Sequence, residues 1–222
     1  GFTLDPNKSP RPQGDYYCGI GSDNVVGREI VEEHMDICME IGLDISGINA
    51  EVLLGQWEYQ IGPVTALEGS DQLWVSRYLL QRVAEKYNVK VSLHPKPLKG
   101  DWNGTGCHVN FSTKTIREDK ENKKAIAEQM CKKLEKKHKE HIAIYGVNNE
   151  HRLTGANETS SMDKFGWGIG DRTKSIRIPS SINEADAVGY IEDRRPSSNA
   201  DPYLIVEKMI TTILGDSVPE LN

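Results

Sequence analysis

The chain has 222 residues, a net charge of −6 and 37 % hydrophobic residues, enough for one large domain or two small ones with a sizeable core. The acidic balance argues against general nucleic-acid affinity, and neither a bilayer-spanning apolar run nor a signal-peptide pattern is present. Cys18, Cys38, Cys107 and Cys131 lack Cys-x-x-Cys spacing, which argues against a disulfide framework or zinc ribbon and for a reduced, cytoplasmic protein.

Gly1 opens the chain without an initiator methionine, so upstream sequence is expected to be missing. Residues 5–15 are rich in Pro, Asp and Lys and read as a loop, and Tyr16 begins a short apolar stretch that ends at Gly21. Asp23 is a candidate cap for a helix over about 25–41. Ile30, Ile37, Cys38 and Ile41 lie near one face of it, His34 sits at the edge of that face, and Gly42 stops the helix. Residues 45–48 read as a strand entering a hairpin.

That hairpin carries Glu51 and Glu58, which on one straight strand would point to opposite faces. A tight turn at Leu54-Gly55 changes this. With Leu53 opposite Gln56 and Val52 opposite Trp57, Glu51 faces Glu58, with Cβ atoms roughly 4.5–5.5 Å apart. Like charges there repel, and a cation between them turns the cost into a binding site; Asn49 and Gln60 form the next pair on the same face. A solvated hairpin with both glutamates in water is the alternative.

Gly62-Pro63 breaks the run. Asp71 is the expected cap of a second helix reaching about residue 87, with Leu73, Val75, Leu79, Leu80 and Val83 as candidate core and Asn88 as its end. Residues 89–93 alternate as a strand up to Pro95. A glycine-rich turn over 100–106 then runs into Cys107-His108-Val109-Asn110-Phe111-Ser112. Val109 and Phe111 suit a core, so His108, Asn110 and Ser112 face a polar cleft. Glycines in such a turn permit positive φ and close approach of a ligand, although the pattern is neither Walker nor dinucleotide.

A long charged helix is expected over 120–141, with Ile126, Met130, Leu134 and His138 on a narrow seam; His138 and His141 are assigned to its solvated outer face. Residues 148–171 read as an irregular loop of the kind that forms lids or binding sites. Residues 172–179 read as a strand with inward isoleucines and Arg177 on the opposite face. The next strand, 190–196, puts Tyr190, Glu192 and Arg194 on one face, where an ion pair between the last two is the structural alternative to substrate recognition. Residues 197–201 make a polar turn, and Pro202 opens a final amphipathic helix to about 214 through Leu204, Ile205, Ile210 and Ile213.

The groups expected to face a common cleft are Glu51, Glu58, Glu192, His108, Arg152, Arg172, Arg177 and Arg194. Oxygen-rich ligands with one imidazole favour Mg²⁺ or Mn²⁺ over zinc, and hard cations with arginines are the equipment of phosphoryl transfer. The residues alone therefore imply a metal-dependent enzyme handling phosphate and an anionic substrate.

The hairpin Asn49-Ala50-Glu51 with Gln56-Trp57-Glu58-Tyr59-Gln60-Ile61-Gly62-Pro63 closely resembles that of eukaryotic-type glutamine synthetases. So do the run from Trp102 to Lys114, Arg152-Leu153-Thr154-Gly155, Arg172 with Ser175-Ile176-Arg177-Ile178-Pro179, and Glu192-Asp193-Arg194-Arg195-Pro196. The resemblance implies that residues 1–222 form one α+β catalytic domain, a curved, mostly antiparallel sheet with outer helices, lacking the N-terminal β-grasp domain. It implies homo-oligomeric rings, ATP as co-substrate and ligation of ammonia to L-glutamate through γ-glutamyl phosphate. Glu51 and Glu58 match ligands of one metal, His108 and Glu192 ligands of a second. Arg152 and Arg194 match the groups holding glutamate carboxylates, with Trp102 and Gly104 lining that pocket. Asn110, Phe111, Ser112 and Tyr190 match the nucleotide site, shared with Arg177; Arg172 and Arg177 match phosphoryl-stabilising groups, and Glu158 the flap glutamate that helps take a proton from ammonium.

Asp101 departs from the family's usual Asn beside the glutamate pocket, and the family's Glu-x-Glu strand should precede Phe2. This chain alone is therefore expected to bind metal and nucleotide weakly and to make no glutamine; glutamine formation in a coupled phosphate-release assay of the pure chain would overturn that. Two rivals stand beside this reading: a guanidino kinase-like phosphotransferase, with Cys107 its only candidate reactive cysteine, and a non-catalytic structural relative.

Overall fold

The computed structural model describes residues 11–215. The start of the loop expected over 5–15 and the place of a Glu-x-Glu strand before Phe2 lie outside the described residues. The chain folds as two compact units, residues up to Ser92 with Leu98–Asn103, and Leu93–Pro97 with residues from Gly104 on. The fold class is α+β, as the family resemblance implied.

The first unit contains helix α1 (Arg28–Glu40), strands β1 (Ile45–Ala50) and β2 (Trp57–Ile61), and helix α2 (Ala66–Lys86). The start of α1 is capped by Gly27 in a left-handed conformation, with no side-chain cap; the expected cap, Asp23, lies outside the helix. The end follows expectation. Gly42 (φ +86°) donates to Met39 O and Leu43 donates to Cys38 O at 2.9 Å, a termination that needs positive φ where glycine has no Cβ penalty. Asn88 (φ +53°) ends α2 in the same way.

Helix α2 begins earlier than Asp71. Thr65 is its cap, with Oγ1 accepting from the Glu68 amide at 3.4 Å. Thr65→Ala is expected to cost about 0.5–1 kcal/mol in urea unfolding, and Asp71→Ala less; the reverse order would restore the cap to Asp71. The inner face of α2 is drawn by Gln72, Ser76 and Val83, all buried. Val75, expected in the core, is 40 % exposed, because it lies one position off that face. His34 is buried, not at an edge: Nε2 lies 2.9 Å from Ser76 O, and the ring meets Tyr59 edge-on. Burial pushes its pKa down, so it is neutral near pH 7. Residues 89–93 form no strand; alternation alone gives no ladder without a partner edge.

The second unit is built on a four-stranded sheet of β3 (Val109–Phe111), β4 (Trp167–Ile169), β5 (Ile176–Ile178) and β6 (Ile191–Asp193), in the order β3-β6-β5-β4. Only the β4–β5 pair is parallel. The region expected as loop over 148–171 thus contains β4, and a 3₁₀ turn over Asn149–His151. The helix expected over 120–141 is two helices, α4 (Lys123–Lys136) and α5 (His138–Ile142), preceded by α3 (Lys114–Glu118). Lys137 (φ −109°, ψ 13°) separates them. Helix α6 (Pro202–Leu214) matches expectation in its bounds, and Asp201 caps it through the Tyr203 amide; Leu204, expected on its apolar face, is exposed, and that face is drawn by Ile205, Met209 and Ile213.

One sheet face carries Ile176, Ile178 and Ile191, packed in a core with Met130 and Leu134 of α4 and Ile205 and Met209 of α6. His141 is fully buried on this side, which overturns its assignment to a solvated helix face. It accompanies an ion pair made by Asp193 and Arg195, described below. His138 also turns inward, with Nε2 2.8 Å from Met162 O.

Candidate active site

In the first unit the hairpin register differs from expectation. Asn49 pairs with Glu58 and Ala50 with Trp57, and the Glu51 amide donates to Gln56 O at 2.8 Å. Glu51 therefore stands opposite Gln56, diagonal to Glu58. The expected tight turn at Leu54-Gly55 is present, with the Gln56 amide donating to Leu53 O at 2.9 Å and Gly55 at φ +77°, but it sits inside a longer loop, Val52-Leu53-Leu54-Gly55, so the ladder beyond it is displaced. Leu53 and Leu54 are both buried, and seating two leucines in the core takes the longer loop. The register shifts by two residues, an even number, so side-chain parity is kept and the two glutamates share a face; diagonal neighbours are about 7–8 Å apart, not in direct opposition. Asn49 and Gln60 are not the expected cross-strand pair, since Gln60 stands opposite Gly47; they meet diagonally, Gln60 Nε2 donating to Glu58 Oε1 at 2.7 Å and to Asn49 Oδ1 at 3.1 Å. Glu51 Oε2 accepts from the Val52 amide. Trp102 and Asp101 belong to this unit, half-buried and exposed respectively.

In the second unit the open sheet face carries a charged row. Registers Asn110↔Glu192, Arg177↔Glu192 and Gly168↔Arg177 align these residues across all four strands. His108 and Arg194 extend the row one step beyond the ends of β3 and β6. Glu192 is its hub: its side chain is 7 % exposed, with His108 Nδ1 3.3 Å from Oε1, Arg194 Nη1 3.1 Å from Oε1, and Arg177 Nε donating to Oε2. Burial alone would raise the Glu192 pKa; hydrogen bonding and charge from His108, Arg194 and Arg177 overcome it and bring it down to about 2. The His108 side chain is 32 % exposed; partial desolvation pushes its pKa down, the charges of Arg152 and Arg194 add to this, and Glu192 opposes it. His108 is therefore neutral near pH 7, where Arg177 and Arg194 remain the charges beside Glu192.

Arg152 lies below this row, 6 % exposed. Its Nη2 donates to Arg194 O at 2.9 Å and contacts His108 Nε2 at 3.1 Å, and Nη1 donates to Arg195 O at 3.3 Å. Burial and then Arg194 lower its pKa to about 10, leaving it charged at neutral pH. Room for Arg152 explains two of the glycines read as ligand-approach positions. A Cβ at Gly104 would meet Arg152 Cγ at 2.6 Å and Pro95 O at 2.7 Å; one at Gly106 would meet Arg152 Nη2 at 2.5 Å and His108 Nε2 at 2.8 Å. Because Pro95 O is main chain and cannot swing away, Gly104→Ala is expected to cost about 1–3 kcal/mol, read by urea unfolding. A loss below a few tenths would show that Arg152 is not wedged there.

Arg194 is buried, and among the described residues its Nε has no hydrogen-bond partner, a donor on the polar side of the sheet with its requirement unmet. Its Nη2 donates to the carbonyl of Glu158 at 3.3 Å. Asn157 and Glu158 both have positive φ, +52° and +58°, uncommon for residues with a Cβ; such strain gathers at functional loops. The Glu158 side chain is exposed, as is Arg172 in the turn before β5. Ser112 Oγ donates to Gly189 O at 2.9 Å, which ties the end of β3 to the residue before Tyr190; Phe111 is partly buried against the core.

The other face of β6 was not read from the sequence. Asp193, fully buried, accepts from Arg195 Nε at 2.9 Å and Nη2 at 2.6 Å, and from the Tyr145 hydroxyl at 2.7 Å. His141 Nδ1 lies 2.6 Å from that hydroxyl and Nε2 lies 2.9 Å from Thr212 Oγ1. The available signal was alternation: if Glu192 and Arg194 face out, Asp193 must face the isoleucines, and a buried carboxylate needs a cation.

Among the described residues no group of three or more His, Cys, Asp and Glu side chains converges as a metal cluster. The pair His108 and Glu192 suits a hard divalent cation. His108 supplies a neutral imidazole and Glu192 an ionised carboxylate, 3.3 Å apart; ligand atoms about 2.1 Å from an octahedral ion sit about 3 Å apart at a right angle.

An α+β unit presenting an ionised carboxylate and a neutral imidazole among three arginines belongs to a class built to hold anionic, oxygen-rich ligands beside divalent cations. Residues 4–215 match the family described as glutamine synthetase, catalytic domain, and the chain belongs to that family. It is 54 % identical over 206 residues to a glutamine synthetase of Kluyveromyces lactis, covering 93 % of this chain and 55 % of that protein. The Saccharomyces cerevisiae glutamine synthetase is 53 % identical over 206 residues, 93 % of this chain and 55 % of that protein. The one from Schizosaccharomyces pombe is 55 % identical over 196, 88 % and 54 % respectively. The chain thus spans about half the length of these relatives.

Proposed function

We propose that this chain carries the catalytic half of an ATP-dependent ligase that joins ammonia to L-glutamate. The observation that supports it most is the buried, ionised Glu192, flanked by Arg177 and Arg194 with neutral His108 alongside. In this reading Glu51 and Glu58 hold one divalent cation, Mg²⁺ or Mn²⁺, and His108 and Glu192 hold a second. When bound, such ions neutralise phosphate charge and polarise the transferring group.

The chain's own residues supply the rest. Arg152 and Arg194 bind carboxylates of glutamate, and the unmet Arg194 Nε–H suits this. Arg177 and Arg172 stabilise the negative charge of the phosphoryl group as it moves. Asn110, Phe111, Ser112 and Tyr190 bind the nucleotide. A glutamate side-chain oxygen attacks the γ-phosphorus of ATP and ADP leaves, giving γ-glutamyl phosphate. Ammonia nitrogen then attacks the acyl carbon and phosphate departs. Glu158 accepts a proton from ammonium, and its strained loop keeps water from the intermediate. The family's ring assembly and a cytoplasmic location go with this reading; among the described residues no helix is long and apolar enough to cross a membrane.

The test is a chimera in which residues 4–215 replace the matching stretch of the Saccharomyces cerevisiae relative. Phosphate release that requires ATP, glutamate and ammonium together is expected. Release driven by a guanidine acceptor would favour a phosphotransferase, and a folded chimera releasing none would favour a structural relative.

A further inference from the structure

Lys123, the first residue of α4, is 4 % exposed, and among the described residues it forms no ion pair. This is an unfavourable place for a cation. Buried lysines are rare without a carboxylate, and the amino end of a helix repels positive charge. The ammonium instead donates to two main-chain carbonyls, those of Glu184 and Ala187, the second at 2.9 Å. These carbonyls bracket a turn closed by the Ala187 amide donating to Glu184 O at 3.2 Å. The 183–186 side of the turn is exposed to solvent, so the lysine holds it from beneath.

The far end of the same segment is also fixed. Gly189 passes so close to α3 that a Cβ there would lie 2.6 Å from Ile116 O. Its carbonyl accepts from Ser112 Oγ, which also accepts from Arg117 Nη1 at 3.2 Å. Tyr190 and then β6, with Glu192, follow directly. Residues 184–189 therefore form a strap anchored by one buried cation at one end and by Ser112 at the other. Plain stability is served better by an apolar contact than by a desolvated ammonium, so the arrangement points to placement of the strap as its purpose.

We propose that Lys123 is a positioning residue: by fixing the 184–189 strap it sets the Ser112–Tyr190 edge on which a nucleotide is bound. The proposal rests on the reading of Asn110, Phe111, Ser112 and Tyr190 as nucleotide-binding. The test titrates Mg²⁺–ATP by calorimetry into the chimera described above, in which residues 4–215 sit in the Saccharomyces cerevisiae relative, with amide hydrogen exchange on the unliganded proteins. Lys123→Met is expected to weaken nucleotide binding at least tenfold and to speed exchange at 184–190 at least tenfold, leaving 176–178 in β5 unchanged. Lys123→Arg, which keeps charge and donors, is expected to stay within about threefold of the parent in affinity. Rescue by Arg with exchange confined to the strap separates positioning from a general loss of stability. Parent-like affinity in a folded Lys123→Met overturns the proposal. If Lys123→Met does not fold, Lys123→Gln carries the comparison; its shorter amide is expected to weaken binding, and parent-like affinity overturns the proposal. Failure of the unsubstituted chimera to bind Mg²⁺–ATP overturns the nucleotide reading itself, and this inference with it.

Discussion

Asp193→Asn is expected to lower the unfolding free energy of the second unit by about 3–5 kcal/mol, the loss typical when one partner of a buried ion pair is removed. Asp193 is 0 % and Arg195 1 % exposed, so the guanidinium would be left uncompensated between the rings of Tyr145 and Phe165, whose centroids lie 5.1 and 5.3 Å from it. The Tyr145 hydroxyl would also lose its carboxylate acceptor. The control is the double substitution Asp193→Leu with Arg195→Met, which removes both charges and keeps apolar volume. It is expected to recover to within about 2 kcal/mol of the parent. Urea unfolding followed by tryptophan fluorescence reads both; a double variant no better than the single one would show that the uncompensated charge is not the cause. Glu192 and Arg194 alternate with this pair along one strand, so a loosened Asp193–Arg195 pair is expected to disorder the open face as well.

Glu192→Gln has the second largest expected effect, and pH resolves it. The Glu192 pKa falls from an ordinary 4.5 to about 2 in the folded protein, equivalent to about 3 kcal/mol at about 1.4 kcal/mol per unit. Since the folded pKa is the lower one, this stabilisation is complete above the unfolded value. It is lost as pH falls from about 4.5 to about 2, where the unfolded chain takes up the proton first. At pH 7 the glutamine variant is expected to be less stable by about 2–3 kcal/mol, with Arg177 and Arg194 facing each other without their shared carboxylate. Below pH 2 the two proteins should converge. Equal midpoints at pH 7, or a gap that persists in acid, would remove Glu192 from its place as the charge hub.

The open sheet face was legible because its signals are local. Val109 and Phe111 fix the parity of β3, Ile176 and Ile178 that of β5, and a period of two then sends His108, Asn110, Arg177, Glu192 and Arg194 to the opposite side. The hairpin shows the limit. Parity put Glu51 and Glu58 on one face, but their register shifted because Leu53 and Leu54 are drawn into the core, a demand that sequence spacing does not reveal. Helix α2 fails in the same manner: Asp71 is a good cap in isolation, yet Thr65 takes the role once packing sets where the helix begins.

The order of residues by itself determined the ends of α1 and α2 at Gly42 and Asn88, and which side chains of β3, β5 and β6 share a face. These follow from steric and alternation rules that act over a few residues. Tertiary structure alone decided that Gly104 and Gly106 make room for Arg152, that His34 and His141 are interior, and that Asp193 and Arg195 form a buried pair. Each depends on an element distant in the chain, and contacts of that kind carry no sequence period for a reader to follow.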